Sequence, residues 1–181
     1  WCEANNVDIY SDGLKIYTTI DTRMQKYAEE AVEKQMKRVQ QQFKNHWGSV
    51  NPWQDENHIE IKGFIENIAR KTEFYKYLSN RYPDRPDSVD YFMNLPHKLK
   101  VFDYKEGSKE MVMSTMDSIR YMVSYMHCGF VAMEPNTGYV KCWVGDINFD
   151  FWQYDKVLSK RQPGSTFKLF VYTAAFNKGL G

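Results

Sequence analysis

Apolar residues recur through the first quarter of the chain at the spacing of an amphipathic helix. The stripe consists of Met24, Tyr27, Ala28, Ala31, Val32, Met36, Val39 and Phe43. It predicts one long helix from Thr22 to Asn45, with Asp21 as its N-cap. Just before it, the β-branched and aromatic run Leu14–Ile20 predicts a short strand. The polar face of the helix is predicted to be a solvated surface.

Two further helical stripes follow a predicted loop at Gly48–Asp55. The first has its apolar positions at Ile61, Phe64, Ile65, Ile68 and Ala69 and continues through Phe74, Tyr75, Tyr77 and Leu78. Pro83 and Pro86 then predict another loop, and Pro96 bounds a short segment. The last stripe predicts a helix from Met116 to Met126 that ends near Gly129.

The hydrophobic period changes after Gly129, and the new pattern is that of a β-hairpin. Phe130–Met133 and Tyr139–Val144 are β-rich runs. Between them, Pro135 and Gly138 occupy the positions of a type I turn with a following glycine bulge. The pattern therefore predicts two antiparallel strands.

The last element is predicted to be a helix from Ser165 to a stop at Gly179. It is apolar on nearly every side apart from Lys168, so we expect it to be buried. Together the patterns predict an α+β fold. Residues 1–127 would form a helix-rich region, and residues 128–181 would hold the hairpin and the final helix.

Composition narrows the class of protein. The 181 residues are 43% hydrophobic, which is enough for an ordinary core, and the net charge is +1 with no basic block, so no nucleic-acid partner is predicted. The sequence has no run of about 18 apolar residues, so no membrane span is predicted. Three cysteines without C-x-x-C spacing and four scattered histidines predict no disulfide framework, metal site or cofactor. Both ends of the chain look cut from a longer protein.

Ser165 and Lys168 are the candidate chemical pair. An S-x-x-K match is expected by chance on the order of once in a chain this long. Residues three apart on a helix share one face, however. A lysine in the first turn of a buried apolar helix is opposed by the helix dipole and by desolvation, and both effects lower its pKa. Lys168 would then be a general base and Ser165 a nucleophile. Spacing alone favours the alternative, in which Ser165 only caps the helix and Lys168 extends to water.

The wider sequence resembles one family. The run Arg161–Lys168 resembles the nucleophile segment of class A penicillin-binding proteins. The hairpin region Gly129–Gly145 resembles the first hairpin of their transpeptidase domain, and Ile16–Ala31 resembles the linker that enters it. The chain is thereby identified as an incomplete penicillin-binding transpeptidase fold, which is similar to that of serine β-lactamases, preceded by a linker region.

The resemblance implies an activity and its partners. Ser165 would attack the D-Ala-D-Ala carbonyl of a peptidoglycan stem peptide, and its backbone N–H would supply half of the oxyanion hole. Lys168 would take the serine proton, an amine of a second stem peptide would accept the acyl group, and β-lactams would acylate the same serine. The parent protein would be a membrane-anchored synthase, with a glycosyltransferase as well, acting outside the cytoplasmic membrane.

The sequence departs from the pattern of class A penicillin-binding proteins at several positions. Asp146 stands where relatives usually have a second glycine, and Leu169 where they usually have proline. S-D-N and K-T-G type elements should follow the S-x-x-K motif, but only 13 residues follow Lys168. Ser49-Val50-Asn51 has the S-x-N letters far upstream, which we interpret as coincidence. We therefore expect this stretch alone to be inactive.

A second hypothesis from another class stays open. The long helices could form a non-catalytic interaction region that docks proteins of the cell-wall machinery through residues Thr22 to Leu78. A β-lactam sensor or a serine β-lactamase also uses S-x-x-K, but the run Arg161–Gly164 and the long upstream linker favour the synthase.

Overall fold

The computed structural model describes residues 1–180. Its helices are α1 (Thr22–Trp47), α2 (Phe64–Ala69), α3 (Glu73–Arg81), α4 (Pro86–Asn94), α5 (Thr115–Val123) and α6 (Lys168–Asn177). Its strands are β1 (His97–Asp103), β2 (Gly107–Met113), β3 (Phe130–Met133) and β4 (Val140–Val144). Two short 3-10 turns lie at Glu3–Asn5 and Gly164–Phe167. The predicted α+β class is confirmed.

The predicted long helix is confirmed as α1, which runs two residues further than expected. Asp21 caps it, because its Oδ1 accepts hydrogen bonds from the backbone N–H of Arg23 at 2.9 Å and of Met24 at 3.2 Å. These N–H donors, with Met24 first, hold the pKa of Asp21 below its ordinary value. Gly48 ends the helix at φ +56°, a left-handed conformation in which glycine carries no steric cost.

The prediction of a strand at Leu14–Ile20 is wrong, because these residues form no regular strand. The chain nevertheless runs along β4 at the end of this segment. Thr19 Oγ1 donates to the Val140 carbonyl at 2.7 Å, and the Asp21 N–H donates to the Lys141 carbonyl at 2.9 Å. Asp21 is also the N-cap of α1, so the backbone turns into the helix before a ladder can form.

The stripe predicted as one helix from Ile61 to Leu78 is two helices, α2 and α3. Thr72 separates them, because its Oγ1 donates to the Ala69 carbonyl at 2.7 Å and accepts from the Tyr75 N–H at 3.2 Å. A loop was predicted around Pro83 and Pro86, but helix α4 begins there, with Pro86 as its first residue. These helices and α5 enclose the first core, which comprises Trp53, Ile65, Ala69, Leu78, Val89, Met93, Met116 and Ile119.

The pair β1–β2 was missed by the sequence patterns. It is antiparallel, in register from His97↔Met113 to Asp103↔Gly107. Half of its residues are exposed and many are charged, so the pair lacks the clear alternation of apolar and polar residues that marks a half-buried strand. Only Val101 and Phe102 of this pair are buried.

The predicted third helix is confirmed as α5, which begins one residue earlier and ends three residues earlier than expected. The predicted hairpin is confirmed as β3–β4, which pair from Phe130↔Val144 to Met133↔Val140. A register shift between Ala132 and Met133 marks a bulge whose extra residue is Lys141 of β4. Gly138, at φ +72°, donates its N–H to the Glu134 carbonyl at 2.9 Å, so glycine is needed at this turn.

Helix α1 packs across β4, and two glutamines join it to backbone groups. Gln25 Nε2 donates to the Trp143 carbonyl at 3.0 Å, and Gln25 Oε1 accepts from the Trp143 N–H at 2.8 Å. Gln40, only 3% exposed, donates to the Ser124 carbonyl at 2.9 Å and accepts from the Met126 N–H at 2.7 Å. Ala28, Val32, Met36, Cys142 and Val144 form the second core between these ends.

Within residues 1–180, no helix combines the length and the apolarity that a membrane span requires.

Replacing Gln40 with alanine tests this docking. The substitution leaves the Ser124 carbonyl and the Met126 N–H without their side-chain partner in a buried position, so we expect a loss of about 1–3 kcal/mol in the free energy of unfolding, measured by urea denaturation. Gln42→Ala is the matched control, since Gln42 is exposed on the same helix, and it should change the value by less than about 0.5 kcal/mol. Equal effects of the two substitutions would contradict the role of Gln40.

Candidate active site

Ser165 and Lys168 lie at the start of the last helix, as predicted. Ser165 is in the 3-10 turn Gly164–Phe167, and Lys168 is the first residue of α6. The Lys168 N–H donates to the Ser165 carbonyl, which fixes the two residues one turn apart. Residues three apart in such a turn are eclipsed, so both side chains project from one face. Gly164, at φ +53°, makes the left-handed turn that precedes the serine.

The prediction that this helix is buried is wrong. Every residue from Arg161 to Leu180 is exposed except Ala175, and Phe170 is 65% exposed. Helix α6 packs chiefly against the turn Gly164–Phe167. The physical reason is that an apolar helix favours burial but does not itself provide the covering surface. Lys168 is exposed too, so the desolvation that the sequence analysis expected at its ammonium is not found among residues 1–180.

The segment before the nucleophile is fixed to β4. Asp155 Oδ2 accepts from the Trp143 indole Nε1–H at 2.8 Å, and Asp155 Oδ1 accepts from the Val157 N–H at 2.8 Å. The Lys156 N–H donates to the Gly145 carbonyl at 2.6 Å. Residues 155–157 therefore lie against the end of the hairpin, eight to ten positions before Ser165.

A buried polar cluster adjoins this segment. The Asp146 side chain is 1% exposed; its Oδ1 accepts from the Ile147 N–H at 2.7 Å and lies 2.9 Å from His127 Nδ1. Its Oδ2 lies 3.5 Å from Lys156 Nζ. Two basic side chains thus face one buried carboxylate, as a buried charge requires. Asp146 is not among the residues with positive φ, so the aspartate does not strain this turn.

Five aromatic rings surround the cluster on the side of β1. They belong to Phe102, Tyr104, Tyr125, Phe151 and Trp152, with neighbouring centroids 4.9–6.1 Å apart. Tyr125 Oη donates to the Phe102 carbonyl at 3.1 Å. Tyr104 Oη is also buried but has no hydrogen-bond partner within residues 1–180. Burial, followed by the nearby Cys128 and Asp146, raises the pKa of Tyr104 to about 12.

An open groove of about 800 Å³ lies between α1, the β1–β2 turn and residues 143–155. Glu33, Asp103, Trp143, Phe149 and Trp152 are among its lining residues. Neither Ser165 nor Lys168 lines it, so the groove and the candidate nucleophile are separate features. No set of three or more His, Cys, Asp and Glu side chains within residues 1–180 is arranged to hold a metal ion.

Two family models match successive parts of the chain. Residues 48–126 match the model of the penicillin-binding protein middle domain. Residues 128–180, which carry the hairpin, Ser165 and Lys168, match the model of the penicillin-binding protein transpeptidase domain. The chain belongs to the penicillin-binding protein family.

Relatives named penicillin-binding protein 1A align with almost the whole chain. Those of Rickettsia bellii and Neisseria gonorrhoeae are each 25% identical, over 96% and 98% of this chain, and that of Rickettsia conorii is 27% identical over 94%. The chain spans about a quarter of the length of these curated relatives. No solved structure matches the chain significantly.

The predicted resemblance to penicillin-binding proteins is thus confirmed, and so is an incomplete transpeptidase fold. The first core lies wholly inside the middle-domain match. Helix α1 precedes that match in sequence but packs on the transpeptidase hairpin. The roles of Ser165 and Lys168 stay predictions.

Sequence reasoning missed several residues that shape the region before Ser165. The sequence patterns assigned no role to Asp155 or Lys156, and His127 was only one of four scattered histidines that predict no metal site. One signal was available for Asp146, because a carboxylate just after the β-rich run Tyr139–Val144 needs a cationic partner if it is buried. The identity of that partner depends on tertiary contacts.

Tyr104 gives a test of the polar interior. Its buried hydroxyl has no partner, so Tyr104→Phe should leave the free energy of unfolding at pH 7 unchanged or raise it. Tyr125→Phe removes a buried hydrogen bond and should lower it by about 1 kcal/mol, as measured by urea denaturation.

The pKa of Tyr104 also gives a pH dependence. A phenol ionises near 10 in the unfolded chain and at about 12 here, so the unfolded state loses its proton first. The stability from the neutral phenol is fully present below about pH 10 and is lost as the pH rises through about 12. The Tyr104→Phe variant should lose less stability over that window than the wild type. An equal loss would contradict the assigned pKa.

Proposed function

We propose that this chain carries the nucleophile of a serine D,D-transpeptidase that cross-links peptidoglycan. The observation that carries the proposal is the placement of Ser165 and Lys168 one turn apart at the start of α6. They follow the run Arg161–Gly164 inside the region that matches the transpeptidase model. Placement and family together favour catalysis over the capping role that spacing alone would favour.

The chemistry starts at the Ser165 hydroxyl. Lys168, as the neutral amine, takes the hydroxyl proton while Oγ attacks the penultimate D-Ala carbonyl of a stem peptide. The Ser165 N–H is among the first of its turn, which have no intrahelical acceptor, so it is available to the oxyanion. The peptide bond breaks, the proton passes to the departing terminal D-Ala, and a serine ester remains. An amine of a second stem peptide then attacks that ester and restores Ser165. A β-lactam would form the same ester by opening its ring.

A complete transpeptidase site needs sequence elements other than Ser165 and Lys168. Residues 1–181 contain no Lys-Thr-Gly or Lys-Ser-Gly sequence, and Ser49-Val50-Asn51 begins 116 positions before Ser165, in a loop that follows α1. The exposed apolar face of α6 needs a covering surface, which we assign to the rest of the transpeptidase domain in a longer gene product. We further propose that this product is a membrane-anchored synthase with a glycosyltransferase, that residues 1–127 and 128–181 belong to successive domains, and that residues 1–181 alone are inactive.

A second candidate is a non-catalytic interaction region of a cell-wall synthesis complex. The observation that favours it is the open groove beside α1, whose acidic and aromatic lining does not include Ser165 or Lys168. Acylation of the gene product decides between the two candidates.

Labelling with a fluorescent penicillin tests the proposed nucleophile. The full-length product of the gene should be labelled covalently, and Ser165→Ala should reduce labelling at least about 100-fold because no acyl ester can form. Ser49→Ala is the matched control, since Ser49 precedes an S-x-N-like sequence by coincidence, and it should label like the wild type. Residues 1–181 alone should show little labelling.

Two results would contradict the proposal. Labelling of the Ser165→Ala protein at the wild-type level would exclude Ser165 as the nucleophile. An unlabelled but folded full-length product whose gene encodes no K-[ST]-G element would favour the interaction region instead.

A further inference from the structure

The Asp155 side chain binds two parts of the chain at once. Its Oδ2 accepts from Trp143 Nε1 at 2.8 Å, and its Oδ1 accepts from the N–H groups of Val157 at 2.8 Å and Leu158 at 3.4 Å. We call these four residues the Asp155 clasp. One carboxylate thereby holds a local turn with one oxygen and ties that turn to β4 with the other.

The strand end of the clasp is itself fixed. The backbone N–H and carbonyl of Trp143 both bond to the Gln25 side chain of α1, so the indole projects from a residue held between helix and hairpin. The turn end is also packed closely. A Cβ on Gly129 would lie 2.6 Å from the Val157 backbone nitrogen, so the 155–158 turn touches the start of β3 with no room for a side chain. The clasp therefore has two rigid supports.

Beyond the clasp the chain has few supports before the nucleophile. Ser159 Oγ donates to the Asp155 carbonyl at 2.9 Å, and residues 160–163 are exposed and in neither helix nor strand. Six residues lie between Leu158 and Ser165, and the seven residue steps from one to the other could span up to about 25 Å if released. The clasp is thus the last side-chain anchor in the described chain before Ser165 that reaches the hairpin.

We propose that Asp155 is a positioning residue for Ser165. It fixes the place from which the segment 159–164 delivers the serine, and it acts through Trp143 and the Val157 backbone without touching substrate. This inference rests on the proposed function of Ser165. Errors of about 1 Å in placing a reacting group can lower a rate about 100-fold, so loss of the clasp should slow acylation strongly.

Asp155→Asn separates the two halves of the clasp. An asparagine keeps one oxygen for the Val157 N–H but presents an NH₂ group to the indole N–H, so the local turn is kept and the tie to β4 is lost. If the tie positions Ser165, Asp155→Asn and Trp143→Phe should both be impaired like Asp155→Ala. Asp150→Ala is the matched control, because Asp150 is exposed on the same loop and is not part of the clasp.

The experiment measures penicillin acylation of the full-length gene product at a temperature well below the melting temperature of every variant. We expect the first-order acylation constant to fall at least tenfold in Asp155→Asn, Asp155→Ala and Trp143→Phe, with the dissociation constant of penicillin within about twofold of wild type. Asp150→Ala should match the wild type in both constants. A purely structural role would lower the melting temperature and leave the acylation constant of the folded protein unchanged.

The outcomes separate this inference from the proposed function. Acylation of Asp155→Asn at the wild-type rate, in a product whose Ser165 is labelled, would overturn the inference alone. No labelling of the wild type would overturn the proposed function first. Hydrogen exchange in residues 1–181 adds a readout that needs no activity: the Val157 amide should exchange at least tenfold faster in Asp155→Ala than in Asp150→Ala, and equal exchange would contradict the clasp.

Discussion

The structure around the candidate nucleophile depends on the pairing of the Gln25 side-chain amide with the backbone of Trp143. A primary amide presents one donor and one acceptor, as a residue of a neighbouring strand would, so it satisfies both backbone groups of Trp143. This pairing sets α1 across β4, and Gln40 fixes the far end of the helix to the chain after α5. The apolar residues between these two polar anchors form the second core. Polar contacts fix the position of the helix, and burial supplies the stabilisation.

The pairing joins residues that are 118 positions apart in sequence. The chain leaves α1, forms the separate core of the middle domain and returns to complete the unit that α1 began. The first core collects side chains from several short elements, whereas the second is formed by the long helix α1 and the strand β4. Helix α1 thus holds the hairpin in place from outside the region that matches the transpeptidase model. The Asp155 clasp binds Trp143 of this hairpin and so fixes the chain a few residues before Ser165.

Local patterns were enough for the elements whose signals lie within a few residues. The Asp21 cap, the stripe of α1 and the Pro135–Gly138 turn each predicted the correct element. The patterns failed where a local signal was overridden or hidden. Thr72 interrupts a continuous stripe, β1–β2 carries too many charges to show alternation, and Leu14–Ile20 meets the N-cap of α1 before it can pair.

For the candidate site, the sequence located Ser165 and Lys168 but not Asp155, whose partner Trp143 is 12 positions away and is brought near only by the fold. The burial expected for α6 failed because apolarity does not reveal which surface covers a helix.

The most direct test of this account is hydrogen exchange across residues 1–181 in Gln25→Ala, with Gln42→Ala as the reference. If Gln25 supports the path from α1 through Trp143 to the Asp155 clasp, the amides of Trp143 and Val157 should both exchange faster, while those of α3 and α4 in the first core should not change. Faster exchange at Trp143 with an unchanged Val157 amide would show that the clasp does not depend on α1. Unchanged exchange at both amides would contradict the central role of the Gln25 pairing.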